Sequence, residues 1–186
     1  MEKTINQFNT VIDYCREIFI KKTKDYGTSW RILRTPSLTD QIFIKANRIR
    51  SIEEKGEMKI KEDIRDEFIA IVNYSVMALI QLELGTASGS DDMQLDTQKT
   101  IELYEKYLFG ARDLMLNKNH DYGEAWRDMR ISSLTDIILM KILRLKQIED
   151  NKGVTIISEG PEGSYNDMIN YSIFALIKLD EENEKR

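Results

Sequence analysis

The strongest constraint on this chain is that it is written twice. KKTKDYGTSWRILRTPSLTDQIFIKANRIRSIEE recurs as NKNHDYGEAWRDMRISSLTDIILMKILRLKQIED, shifted by 96 positions and without a gap. Of the 35 positions from 21 to 55, 16 are identical to their counterparts. After a one-residue insertion, NYSVMALIQL (73–82) recurs as NYSIFALIKL (170–179). A period this long with only two copies does not make a solenoid. It predicts duplication of a half-domain, the two halves packed on each other as an internal pseudo-dimer. The first half is expected over 1–84 and the second over 97–186. The linker expected over 85–96 contains GTASGSDD, small and polar without apolar periodicity.

Each half reads as three long helices. Ile5, Phe8, Val11, Ile12, Cys15, Ile18 and Phe19 recur at spacings of three and four, one apolar stripe. Ile101, Tyr104, Tyr107, Leu108, Ala111, Leu114 and Met115 repeat it. Gly27 and Gly123 follow as stop signals. Ser37-Leu-Thr-Asp40 and Ser133-Leu-Thr-Asp136 have the form of capping boxes, opening helices that run to about 55 and 150. Third helices are expected from about Lys61 to Glu83 and from about Ser164 to Glu181. Only VTII (154–157) has β-branched density, and it is short. The expected class is all-α.

Composition narrows the functions. A net charge of −5 argues against a nucleic-acid coat, whose phosphate contacts need a basic surface. One cysteine excludes an intramolecular disulfide, and one histidine excludes a zinc site of several His or Cys ligands. The N-terminal stretch is charged and helical in pattern, and no apolar run reaches the roughly 18 residues that span a bilayer. A cytosolic protein with no membrane partner is expected.

Repeated apolar positions follow from the fold; repeated polar ones invite a second reason. Asp25-Tyr26-Gly27, Trp30 and Arg31 are matched by Asp121-Tyr122-Gly123, Trp126 and Arg127. The aromatic residues could staple a loop to the core, or stack a nucleobase while an arginine holds phosphate. Lys45 with Arg48, and Lys141 with Arg144, place two cations on one helix face. Glu62, Asp66 and Asn73 share a stripe, and stacked carboxylates repel unless a cation such as Mg²⁺ joins them. The second half aligns Glu159 with Glu62, Gly163 with Asp66, Asp167 with Ala70 and Asn170 with Asn73. Asp167 reads equally well as the acidic end of a capping box opened by Ser164.

With the DYG loop, the Lys-x-x-Arg helix and the acidic helix ending in Asn-Tyr in view, the sequence resembles the nucleotide modification associated domain family, often called MazG-like. That family's pattern runs DYG, then DKxxR, then a stretch like ESIxDTLxDLANY. The resemblance covers about 4–84 and 97–181, and implies the all-α nucleoside triphosphate pyrophosphatase fold, a MazG-like helical bundle. By that likeness Glu62, Asp66 and Asp167 would hold Mg²⁺ or Mn²⁺, with Glu62 and Asp66 catalytic. Lys45, Arg48, Lys141, Arg144, Arg31 and Arg127 would hold phosphates. Asp25, Tyr26, Trp30, Asn73 and their counterparts Asp121, Tyr122, Trp126 and Asn170 would contact the base. A nucleotide is then the expected partner, no organic cofactor is required, and self-association into a homo-oligomer stays open. The chain departs from the pattern at Ile44 and Met140, where DKxxR has Asp, and neither half holds the full acidic set. The first expectation is that the halves share one composite metal site in a Mg²⁺-dependent nucleoside triphosphate phosphohydrolase; the alternatives are a nucleotide-binding module without catalysis and a structural helical partner.

Overall fold

A computed structural model describes residues 2–56 and 63–185. The described residues form helices α1 (Glu2–Tyr26), α2 (Thr35–Lys55), α3 (Ile64–Leu84), α4 (Ser90–Met93), α5 (Thr97–Tyr122), α6 (Ile131–Asp150) and α7 (Pro161–Glu184), with 3-10 turns at Ser29–Ile32 and Ala125–Asp128. No strand occurs among them; 154–157 is an irregular loop with Ile156 and Ile157 almost fully exposed. The all-α expectation holds.

The two halves pack about a pseudo-twofold axis, and hydrogen bonds across α2 and α6 show it residue by residue. Thr39 Oγ1 donates to Glu149 Oε1 at 2.6 Å, and Thr135 Oγ1 donates to Glu53 Oε1 at 2.6 Å. Lys146 Nζ meets Asp40 at 2.9 Å while Arg50 meets Asp136 at 3.5 Å. Each contact is the other carried through the repeat, as an isologous interface requires. Helices α3 and α7 form the centre. Arg65, at the start of α3, grips Asp180, near the end of α7, so the two run antiparallel. Among the described residues α3 alone is long and apolar enough to cross a membrane, with 67% of that stretch buried in the protein. It is apolar nearly all round because neighbours cover it on several sides.

Helices α1 and α5 turn the centre of their predicted stripes inward, with Phe8, Ile12, Cys15 and Phe19 of α1 and Tyr104, Leu108, Ala111 and Met115 of α5 buried, while Leu114 stays exposed. Gly27 and Gly123 do terminate their helices, at φ +68° and +60°. The capping boxes do not form. Arg34 and Arg130 occupy the cap positions without side-chain bonds, and Ser37 and Ser133 already lie inside the helices. Asp40 and Asp136 serve the interface instead. Nor does Ser164 open α7; Gly160 precedes it and Pro161 supplies a preset first residue.

The segment 85–96 is no loose tether. Thr28 Oγ1 donates to the Met93 carbonyl at 2.8 Å and accepts from the Leu95 N–H at 2.9 Å. Thr28 N donates to Gln94 Oε1 at 3.1 Å, and Ala87 N to the Arg31 carbonyl at 2.9 Å. The connection is thus strapped across the first DYG loop.

Candidate functional site

A cavity of about 420 Å³ opens in the first half between α1, the DYG loop, α2 and α3. Tyr26 and Trp30 form its aromatic side, Lys22 and Lys45 its cationic side, and Asp66 and Ala70 the face of α3. Tyr26 is 57% exposed at the mouth, whereas Trp30 is buried to 8%. The 3-10 turn after Gly27 swings Trp30 back against Phe19, their ring centroids 6.4 Å apart.

Glu67, 1% exposed, also lines the cavity and bridges both cations of the Lys-x-x-Arg pair. Arg48 Nη1 donates to Glu67 Oε1, and Lys45 Nζ stands 3.3 Å from Oε2. That second contact has ion-pair distance without hydrogen-bond alignment, so Oε2 has no donor among the described residues. The spacing of three along α2 brings Lys45 and Arg48 to one carboxylate.

The second half solves the same charge problem differently. Asp167 accepts from Lys141 at 2.7 Å and from Lys118 at 3.0 Å. Burial alone would raise its carboxyl, but the bonds from Lys141 and then Lys118 outweigh this and hold it below the usual carboxylate range. Lys118 corresponds to Lys22 and Lys141 to Lys45, while Asp167 corresponds to Ala70 and Glu67 to Ser164. The acid has moved by three residues, close to one helical turn, and has changed partners.

Among the described residues, the two carboxylates expected to share a metal, Asp66 and Asp167, are not brought together. Antiparallel packing sets Asp66 beside the Asp180 end of α7, so Asp167 lies about a dozen residues away, on the order of 18 Å along the helix at 1.5 Å per residue. Asp167 neither caps α7 nor approaches Asp66; its oxygens are taken by two lysines. Glu62 lies outside the described residues. Among the described residues no three acidic, His or Cys side chains converge on a point where a metal ion could sit. Among the described residues, the donors on this side of the cavity are the exposed carboxylate of Asp66 and that of Glu67, which two cations already engage.

Several other expected contacts prove structural. Arg31, 4% exposed, donates to Gln81 Oε1 and to the Gly85 carbonyl at 2.6 Å, and so ties the DYG loop to the end of α3. Arg127 donates to Thr4 at 2.6 Å, Gln7 at 2.8 Å and Glu181 at 3.3 Å. These bonds engage both guanidinium groups within the fold. Asn73 lines the cavity but is committed to the Cys15 carbonyl at 3.3 Å and the Tyr104 hydroxyl at 2.6 Å. Asn170 donates to the Ala111 carbonyl at 3.0 Å. Trp126 stacks on Phe174, centroids 4.3 Å apart and planes 6° from parallel, so it offers no free face there. Asp25, Asp121, Tyr122 and Arg144 are exposed, Asp121 beside His120 at 3.2 Å.

The structure therefore collects Tyr26, Trp30, Lys45 and Asp66 around one cavity, with Arg48 held beneath them by Glu67. Sequence reasoning missed Lys22 and Glu67. Lys22 had a signal, since the repeat retains it as Lys118; Glu67 had none, since its counterpart is Ser164.

A duplicated all-α protein with an open, cation-sided cavity in its first half is the class that fold and geometry define. The chain belongs to the nucleotide modification associated domain 1 family, whose pattern matches residues 22–82 and again residues 118–179. No curated protein and no solved structure matches it.

Proposed function

We propose that the first-half cavity binds a nucleoside triphosphate or its deoxy form, and that the protein acts as a nucleotide-binding module. The observation that carries this reading is the pairing, in one cavity of about 420 Å³, of an aromatic side with a cationic side. Tyr26 and Trp30 supply the flat apolar surface a base needs, and Lys22 and Lys45 the charge that phosphates need. The volume lies in the range of small-ligand pockets. Family membership favours nucleotides over other anions of similar charge.

Mg²⁺-dependent hydrolysis of the MazG-like kind is the rival. It would require Asp66 to hold the ion, and among the described residues no three acidic, His or Cys side chains gather around it. Asp66→Asn separates the two readings. A binding module should take nucleotide as tightly or up to about tenfold more tightly, because a negative charge leaves the rim of an anion site. A metal-dependent hydrolase should lose both turnover and metal-dependent binding. Calorimetric titration of the common nucleoside triphosphates, with and without Mg²⁺ or Mn²⁺, together with assays for released pyrophosphate, reads both. Absence of binding to any of them would remove the nucleotide reading.

A further inference from the structure

The two halves differ most where they should agree. In the second half the place between Lys118 and Lys141 is filled by the Asp167 carboxylate, and the face of Trp126 by the Phe174 ring. In the first half the same two places face Ala70 and Met77, and the cavity is there. Lys22 is exposed and pairs with no carboxylate among the described residues, where the acid of this half sits one turn earlier and holds Arg48 and Lys45. Met77 is long but flexible, and a thioether yields to a flat ring more readily than a stacked aromatic does.

We propose that Asp167 and Phe174 plug a second copy of the site from within, and that they mark where ligand sits in the first. The carboxylate stands where a phosphate group binds, between Lys22 and Lys45 over Ala70. The ring stands where a base binds, against Trp30. The protein thus carries one working site and one occupied by its own side chains, giving one ligand per chain despite the duplication. The base position rests on the nucleotide reading above; the phosphate position does not, since any polyphosphate supplies the same charge.

Inorganic tripolyphosphate, titrated calorimetrically into the whole chain at low salt, tests the phosphate position without a base. Wild type should bind one per chain. Ala70→Asp supplies the plug that the second half carries, and should weaken binding at least tenfold without lowering Tm, because the new carboxylate gains two lysines. Ala70→Asn, of the same bulk without the charge, should weaken it less. Asp167→Ala with Phe174→Met copies the open half into the closed one and should raise the stoichiometry to two. Wild type that binds none or two, or Ala70→Asp that binds as tightly as wild type, overturns the proposal. If the double variant does not fold, Ala70→Asp decides alone. Loss of nucleotide binding with tripolyphosphate binding intact would instead remove the nucleoside part.

Discussion

The Tyr104 hydroxyl donates to Asn73 Oδ1 at 2.6 Å in the buried core. Its counterpart by the repeat is Phe8, and the counterpart amide oxygen, Asn170 Oδ1, is buried without a partner among the described residues. Asn73 and Asn170 otherwise behave alike, each donating to a backbone carbonyl of the facing outer helix. Phe8→Tyr should place a hydroxyl against the orphan oxygen and stabilise the fold by about 1 kcal/mol, the net worth of one hydrogen bond. Urea unfolding measures it; a fall in stability would mean that the packing around Phe8 has no room for the oxygen.

Glu67 joins α3 to α2 through two cations and is almost fully buried. Glu67→Gln keeps the shape and removes the charge, leaving Lys45 and Arg48 without it. Breaking a buried pair by removing one partner costs about 3 kcal/mol or more. The two cations, 27% and 25% exposed, soften that through solvent screening, so a loss of about 2 kcal/mol is expected. Chemical denaturation that shows no change would take Glu67 out of the fold's support.

The two loop glycines make a matched pair. Both adopt positive φ, so alanine at either is strained by about 1 kcal/mol. A Cβ on Gly27 would also run into the Gln94 side chain, whereas one on Gly123 meets open space. Gly27→Ala should therefore lower Tm more than Gly123→Ala, and equal losses would show that the strap yields freely.

Glu53 and Glu149, the twofold-related acceptors of the interface threonines, are both raised above the ordinary carboxylate value by burial, an effect their threonine bonds only partly offset. A raised carboxyl means that the folded state holds its proton longer than the unfolded chain does. The stability this brings is fully present below the unfolded value and is lost as pH rises through the folded one. Glu53→Gln with Glu149→Gln, which still accept from the threonines, should raise Tm at pH 7. That advantage should shrink as the solution is acidified below the carboxylate range. An advantage independent of pH would assign the gain to packing.

Where apolar spacing alone decides, the chain was readable. The α1 and α5 stripes, the glycine stops and the twofold all follow from residues that recur at fixed intervals. Charge was harder, because a carboxylate or guanidinium takes its partner from another part of the chain. Asp40 fits a capping box by spacing, yet Lys146 claims it across the interface. Arg31 looks like a phosphate ligand by its place after the loop, yet Gln81, fifty residues on, engages it. Asp167 aligned with Ala70 and so read as a metal ligand or a cap; that it neutralises two lysines depends on how α5, α6 and α7 meet.

The strap from Gly85 to Asp96 joins the end of α3 to the start of α5. The twofold carries that path onto the space between the end of α7 and the start of α1. There Glu181 already meets Gln7 at 2.8 Å and Lys3 at 3.1 Å. Which half is read first is thus incidental to the fold. A gene opened within 85–96 and closed by a dozen residues between 184 and 2 would encode the same packed helices. Its closing segment would then lie over the Tyr122–Gly123 loop, and the first loop would be released.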